Sequence, residues 1–221
     1  TIDGGYAEFV KAPASHVLRI PNGLSSIETA PLFCAGVTVY RALKQAKLSS
    51  GQHVAVFGIG GLGHIAVQIG RALGAEIAAI DISEEKLALA NSLGASHTFH
   101  AGSTGFVKEL RRMGGVHVAL VTSAAKAAYD LAFRCVRPSG TLLIVGLPAE
   151  NICFPAVLMA AGEIRIQASS VGTREDLREV LAMAAAGKIH CHVTTRPLVQ
   201  ANEAPDQLRD GRISGRIVLI P

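Results

Sequence analysis

The chain has 221 residues, of which 49% are hydrophobic and 17% charged, with a formal net charge of +4; that is enough apolar material for a large core and too apolar a mix for disorder. Its basic residues are scattered, the densest run (Lys108-Glu109-Leu110-Arg111-Arg112) is interrupted by an acid and a leucine, and tryptophan is absent, which excludes the sustained basic, aromatic-lined stripe of a nucleic-acid surface. No window reaches the roughly 18 apolar residues of a membrane span, and Cys34, Cys135, Cys153 and Cys191 are too widely spaced for a disulfide framework or a CxxC pair, as expected of a protein of the reducing cytoplasm.

The first residues carry no signal-like apolar core. The chain opens without methionine on Gly4-Gly5-Tyr6-Ala7-Glu8-Phe9-Val10, as expected of a chain cut from a longer one. Tyr6 to Ile20 alternate weakly around Pro13 and predict short antiparallel strands. Pro21-Asn22-Gly23 makes a turn, Ser25 or Ser26 caps a helix with Glu28 at its positive end, and a second helical stretch runs from Pro31 to Gln45.

From His53 onward strand and helix alternate. The predicted strands are His53–Phe57, Glu76–Ile80, Ser96–Phe99, Val116–Val121, Thr141–Val145 and Ile164–Ala168. Between them fall helices from the glycine turn to Leu73, over Glu84–Leu93, Thr104–Arg112 and Ala124–Cys135, with a last one over Arg174–Ala186. Gly74, Gly94 and Gly187 stand where helix C-termini need a left-handed residue. Arg137-Pro138-Ser139-Gly140 reads as a turn, and strand character returns at Ile189–Thr194 and Arg216–Ile220. Strands separated by helices of this length form βαβ units, hence an α/β fold with a doubly wound parallel sheet of the Rossmann type. Residues 36–187 carry that rhythm; 1–35, with the start of a linking helix, and 188–221 do not, and read as parts of a second domain.

Gly58-Ile59-Gly60-Gly61-Leu62-Gly63 is the sharpest feature. A GxGxxG string alone fits a turn between any strand and helix. Here an apolar strand precedes it and His64-Ile65-Ala66-Val67-Gln68-Ile69 follows as a helix. Gly58 can then make the tight turn, Gly60 lets backbone approach a pyrophosphate, and Gly63 permits close helix–strand contact. Free N–H groups and the positive helix end around Leu62 face the phosphates. Asp81 follows the second strand about 20 residues on, where a carboxylate accepts from the ribose hydroxyls. Ile82-Ser83-Glu84 offers no arginine after it, so a 2′-phosphate would meet uncompensated negative charge, and NAD(H) is expected over NADP(H). Lys86 either reaches the same ribose edge or sits as a solvated helix lysine beside Glu85.

Several stretches occur in order: Gly4-Gly5-Tyr6-Ala7-Glu8, Ala30-Pro31-Leu32-Phe33-Cys34-Ala35-Gly36-Val37-Thr38-Val39-Tyr40, Val56 to His64 with the glycine loop, Asp81-Ile82 with Lys86, Val145-Gly146-Leu147-Pro148, Gly172-Thr173-Arg174, and Gly211-Arg212-Ile213-Ser214-Gly215-Arg216. On these the chain resembles the medium-chain, zinc-dependent alcohol dehydrogenases, in particular the microbial branch that prefers primary alcohols. The resemblance implies NAD and zinc as cofactors, with an alcohol or aldehyde as substrate. It implies flanks from a mainly β, GroES-like catalytic domain, and a homodimer or homotetramer joined at the sheet edge near Ile164–Ala168. It further implies that Cys34 is a ligand of the catalytic zinc and that Thr38 lies near the nicotinamide. Asp81 and Lys86 would bind ribose, with backbone at Thr122, Val145, Ser170 and Val171 along the nicotinamide and Arg216 reaching the pyrophosphate.

The family's first zinc-ligating cysteine, its His-Glu pair, its proton relay and its four-cysteine structural zinc lobe have no counterpart in this sequence. One cysteine does not make a zinc site, and Cys34 in Phe-Cys-Ala-Gly otherwise reads as a small buried hydrophobe. His190-Cys191-His192 is the tempting substitute, but on a strand its cysteine points away from both histidines. His64 is expected to pack or hydrogen-bond near the cofactor. Ser123, Ser169 and Ser170 lack a nucleophile elbow, and no Lys-Ser/Thr follows the glycine loop as a P-loop requires. Three functions stay open: NAD-dependent alcohol dehydrogenase chemistry, with little activity in this chain alone; a non-catalytic NAD-binding module; and a zinc-independent quinone or enoyl reductase, against which Asp81 and Cys34 both speak.

Overall fold

Short apolar runs that cannot leave either face in water organise the chain. In the computed structural model these are β1 (His53–Phe57), β2 (Glu76–Asp81), β3 (His97–His100), β4 (Val116–Val121), β5 (Val136–Ile144) and β6 (Arg165–Ala168). They form one six-stranded sheet in the order β3-β2-β1-β4-β5-β6, every neighbouring pair parallel. The structure describes residues 4–103, 105–209 and 213–221. Thr104, where the sequence starts a helix, and Gly211-Arg212 of the terminal motif lie outside the described residues.

Side chains alternate across a strand, and that alternation sorts the core. Val54 and Val56, Ile77 and Ala79, Val118 and Leu120, and Leu143 bury one face; Ala55 and Phe57, Ala78 and Ile80, Ala119 and Val121, and Leu142 bury the other. Two short helical segments precede the sheet, α1 (Ser26–Thr29) and α2 (Ala35–Gln45). The connections between strands are α3 (Gly63–Ala72), α4 (Glu84–Ser92), α5 (Phe106–Arg112), α6 (Lys126–Cys135) and α7 (Ala156–Gly162), and α8 (Arg174–Ala185) follows β6. Buried residues of α2, α3, α4 and α8 cover the first face; Phe106, Val107 and Leu110 of α5 with Tyr129, Ala132 and Phe133 of α6 cover the second. The last described elements are β7 (Val193–Pro197), α9 (Ala204–Arg209) and β8 (Arg216–Ile220), with β7 and β8 paired parallel as a separate two-stranded ribbon. Gly74, Gly94 and Gly187 take φ of +85°, +93° and +68° just after α3, α4 and α8, as their positions in sequence predict.

Four expectations need correction. Among the described residues no strand forms between 4 and 20; Ala14–His16 is a 3-10 turn and that stretch is largely exposed, with no neighbouring strand to pair with. The helix expected from Pro31 is broken: a 3-10 turn spans Ala30–Phe33, and Cys34 (φ −123°, ψ −71°) separates it from α2. Arg137-Pro138-Ser139-Gly140 does not end a segment but belongs to β5, absorbed by Ser139 at φ +58° and a register shift between Val116 and Val118. β7 begins at Val193, so His190-Cys191-His192 precedes the strand. No sequence period marks α7, which has no buried face to impose one; Val157 and Leu158 are both exposed.

One polar cluster joins α2 to α8. Asp176, buried, accepts from the Thr173 amide (2.8 Å) and hydroxyl (2.7 Å) at the start of α8, from Arg41 (2.9 Å) and from Lys44 (3.2 Å). Lys44 also meets Glu179 at 2.6 Å, as does the Tyr40 hydroxyl. Burial by itself would raise the Asp176 pKa, but the Thr173 donors and the two cations hold it well below the usual carboxylate range. A depressed folded pKa means the contribution is complete above the unfolded value of about 4 and is lost as the pH falls through the folded one. Asp176→Ala is therefore expected to cost about 3 kcal/mol at neutral pH, the low end for breaking a buried pair because both cations are partly solvated. Urea titrations should find the gap between wild type and variant closing as the pH drops below about 4.

Candidate dinucleotide site

Because every strand of the large sheet is parallel, the loops after β1, β2, β4, β5 and β6 all emerge at its carboxyl edge, and the strand order reverses between β1 and β4, where such folds open a crevice. Gly58 leaves β1 with φ +93°, its N–H donating to Ile80 O at 2.8 Å. A β-carbon on Gly63 would overlap the Gly58 carbonyl, so helix α3 can start this close to β1 only with glycine there. At Gly60 a β-carbon would meet nothing within 4 Å; the space above it is open. The amides of Gly60, Gly61 and Leu62 donate to no partner among the described residues.

Asp81, at the end of β2, is buried and does two things. Its carboxylate accepts the Ile59 amide at 2.6 Å and the Ser83 amide at 3.0 Å, so it fixes the glycine loop and the turn into α4 together. Each oxygen keeps a lone pair for a further donor. Beside it lies a cleft of about 260 Å³ lined by Gly58, Ile82, Ala101, Ala128 and Leu131. Lys86 stands in the first turn of α4, whose start is capped by the Ser83 hydroxyl at 3.4 Å from the Lys86 amide.

Thr122 has a side-chain role that the sequence reading of its backbone does not include. Its hydroxyl donates to Gly58 O at 2.6 Å, so its side chain braces the glycine turn. Nothing in the sequence could pair these residues, 64 positions apart and just past the ends of two different strands. The Val145 amide bonds Val121 O at 3.2 Å, and the Tyr129 hydroxyl bonds Gly146 O, keeping the ends of β4 and β5 together. Ser170 and Val171 follow β6; Val171 is exposed at φ +46°, a strained conformation for a β-branched residue. Gly172 packs so tightly on Val37 that the start of α2 is brought beside this loop. Cys34 and Thr38 therefore stand at the same edge, Cys34 exposed and Thr38 buried, and Cys34 is not the core hydrophobe its neighbours suggest. Arg216, first residue of β8, stands against the glycine loop: a β-carbon on Gly61 would be 2.7 Å from Arg216 Cδ.

A dinucleotide fits these residues: an open approach over Gly60, amides without partners, a cation beside Gly61 and a carboxylate at the second strand. Zinc does not. Among the described residues no three His, Cys, Asp or Glu side chains come together to hold a metal. Cys191 packs against the core, and burial pushes its thiol up to about 12, which disfavours the thiolate a metal needs.

Sheet order, glycine turn and terminal carboxylate define the class, a Rossmann-type doubly wound α/β protein. Residues 61–186, more than half of the chain, match the zinc-binding dehydrogenase family, and the chain belongs to that family. An alcohol dehydrogenase of Geobacillus stearothermophilus is 44% identical over 99% of this chain, and one of Moraxella sp. strain TAE123 is also 44% identical. The chain spans 65% of the length of each of these relatives. Among solved structures, the alcohol dehydrogenase of the hyperthermophilic archaeon Aeropyrum pernix superposes with a TM-score of 0.93 at 38% identity, over 99% of this chain and 66% of that one. Acetophenone reductase from Geotrichum candidum, solved in complex with NAD, gives 0.92 at 28% identity, over 99% of this chain and 62% of that one.

The glycine geometry separates folding from binding. Gly60→Ala should leave the melting temperature unchanged, since its β-carbon enters open space, while weakening a dinucleotide about tenfold or more in a fluorescence titration. Gly63→Ala should instead destabilise the fold by about 1–3 kcal/mol, because the helix must retreat from Gly58.

Proposed function

We propose that this chain holds NAD(H) at the carboxyl edge of its sheet, as the cofactor-binding part of an alcohol dehydrogenase that moves hydride between an alcohol and its aldehyde or ketone. The observation that carries the reading is the open approach over Gly60 combined with Asp81 fixed to the same loop. Ribose hydroxyls donate to the free lone pairs of Asp81, with Lys86 at the same edge. The amides of Gly60, Gly61 and Leu62, the helix start at Gly63 and the Arg216 cation hold the pyrophosphate. The apolar cleft beside Ile82 accepts the adenine ring. Thr122, Val145, Ser170 and Val171 then border the nicotinamide, with Cys34 and Thr38 opposite. Bound NAD⁺ supplies the hydride acceptor; the chain's own residues orient it and keep water from one side. Residues 36–187 serve as the cofactor domain, and 1–35 with 188–221 belong to the catalytic domain.

Asp81 also sets the cofactor preference. A 2′-phosphate about 4 Å from its carboxylate is repelled by ~1–4 kcal/mol, depending on solvent access. NADH should therefore bind about tenfold or more tightly than NADPH, and the missing tryptophan lets NADH fluorescence be followed directly. Equal affinities, or a preference for NADPH, would overturn the reading. Asp81→Asn should narrow the gap but weaken both cofactors, because an amide nitrogen would then face the Ile59 or Ser83 N–H.

With no group of three metal-donor side chains beside Cys34 among the described residues, the chain by itself is expected to bind cofactor without oxidising alcohols at a family-like rate. Zinc-dependent NADH production, with one tightly held zinc per chain and loss on Cys34→Ala, would refute that. Self-association through the open β6 edge is expected as well, supported by exposed Val157 and Leu158 on the neighbouring α7. Sedimentation giving a monomer mass at every concentration would exclude it.

A further inference from the structure

Two side chains one turn apart on α3 grip the backbone just before β7. Gln68 donates through Nε2 to His190 O and accepts the His190 amide at Oε1, both at 2.8 Å. His64, fully buried, has Nδ1 2.9 Å from Gly60 O and Nε2 3.2 Å from the His192 amide nitrogen. These partners fix its state. A carbonyl can only accept and an amide N–H only donate, so Nδ1 carries the proton and Nε2 is bare. Burial lowers the His64 pKa; the Gly60 carbonyl opposes that shift, and the facing His192 and Arg216 add to it. A neutral ring in this one tautomer satisfies both neighbours at once, which simple filling of a core position would not require.

The contact continues beyond the ring. His192 O accepts the Arg216 amide at 2.9 Å. Gly215, at φ +86°, has no room for a β-carbon against His192 O. The preceding Ser214 hydroxyl donates to Glu85 on α4 at 2.9 Å. Arg216 is thereby held with its side chain against Gly61, on the loop whose Gly60 carbonyl accepts from both the ring and the amide of His64.

We propose that His64, supported by Gln68, is a positioning residue that sets Arg216 against the glycine loop, so that the guanidinium meets the pyrophosphate of a bound dinucleotide. The proposal rests on the dinucleotide reading above. It assigns His64 to the phosphate half of the ligand and leaves the adenosine half to Asp81 and the cleft beside Ile82.

The test is calorimetric titration of the full chain with ADP-ribose, which carries the pyrophosphate, and with adenosine, which does not. His64→Leu should weaken ADP-ribose about tenfold, the size of one charge-assisted hydrogen bond, and leave adenosine within about twofold. Arg216→Ala should do the same, and the double variant should be no weaker than Arg216→Ala alone. His64→Gln, whose amide keeps one donor and one acceptor, should recover most of the loss. Equal losses for both ligands, no loss for ADP-ribose, or losses that add in the double variant would each overturn the proposal. If His64→Leu does not fold by circular dichroism, Gln68→Met carries the same comparison, with a loss for ADP-ribose that vanishes on the Arg216→Ala background expected and its persistence overturning. Wild type binding neither ligand would overturn the dinucleotide reading and this proposal with it; wild-type binding without the His64 effect would overturn this proposal alone.

Discussion

The approach of α3 to the end of β1, with Gly63 against the Gly58 carbonyl, is the constraint on which the carboxyl edge depends. A helix that starts this close gives the loop no freedom to wander, so each of its groups has to be satisfied or aimed. Gly58 O is taken by the Thr122 hydroxyl, the Ile59 amide by Asp81, and Gly60 O by His64. What remains is a short run of amides facing open space. The loop is rigid because its surplus hydrogen-bonding capacity is consumed on three sides by three different elements. A fourth side is left for an anion, where the helix dipole favours negative charge.

On the proposed reading, the same edge divides unevenly between cofactor binding and chemistry. Groups suited to a ribose, a pyrophosphate and an apolar ring come from β1, β2, α3 and β8, and all stand on the rigid sheet or are tied to it. Cys34 instead sits at a break in the backbone between a 3-10 turn and α2, held in place by Gly172 on Val37 and by the Asp176 cluster farther along the helix. The carboxylate that fastens α2 to α8 thus also fixes where Cys34 and the loop at Val171 stand relative to one another.

Much of this was legible in the sequence because it rests on local rules. Strands β1, β4 and β8 begin and end where alternation and glycine punctuation put them, and the glycine loop and Asp81 announce themselves by spacing alone. Failures came where local pattern and tertiary context part company. The weak alternation of Tyr6 to Ile20 has no partner strand and forms none among the described residues. Arg137-Pro138-Ser139-Gly140 has turn composition, yet pairing to β4 on both sides of it, Val116 with Val136 and Val118 with Thr141, keeps it in β5 as an irregularity. The Thr122 hydroxyl's brace on Gly58, the Gln68 grip on His190 and the tautomer of His64 were invisible for another reason: their partners are 64, 122 and 128 residues away, and no periodicity encodes such a meeting.

The β7–β8 ribbon has no hydrogen-bonded neighbour in the large sheet, and none of β8's side chains is fully buried. A two-stranded unit of this kind is marginal alone, so its order leans on the grip of Gln68 and His64 on the backbone just before β7. Arg216 rides on that unit. An anion bridging Arg216 to the glycine loop would add a second tie between this ribbon and the large sheet, and by mass action would slow amide exchange along residues 193–197 and 216–220 more than in the core strands.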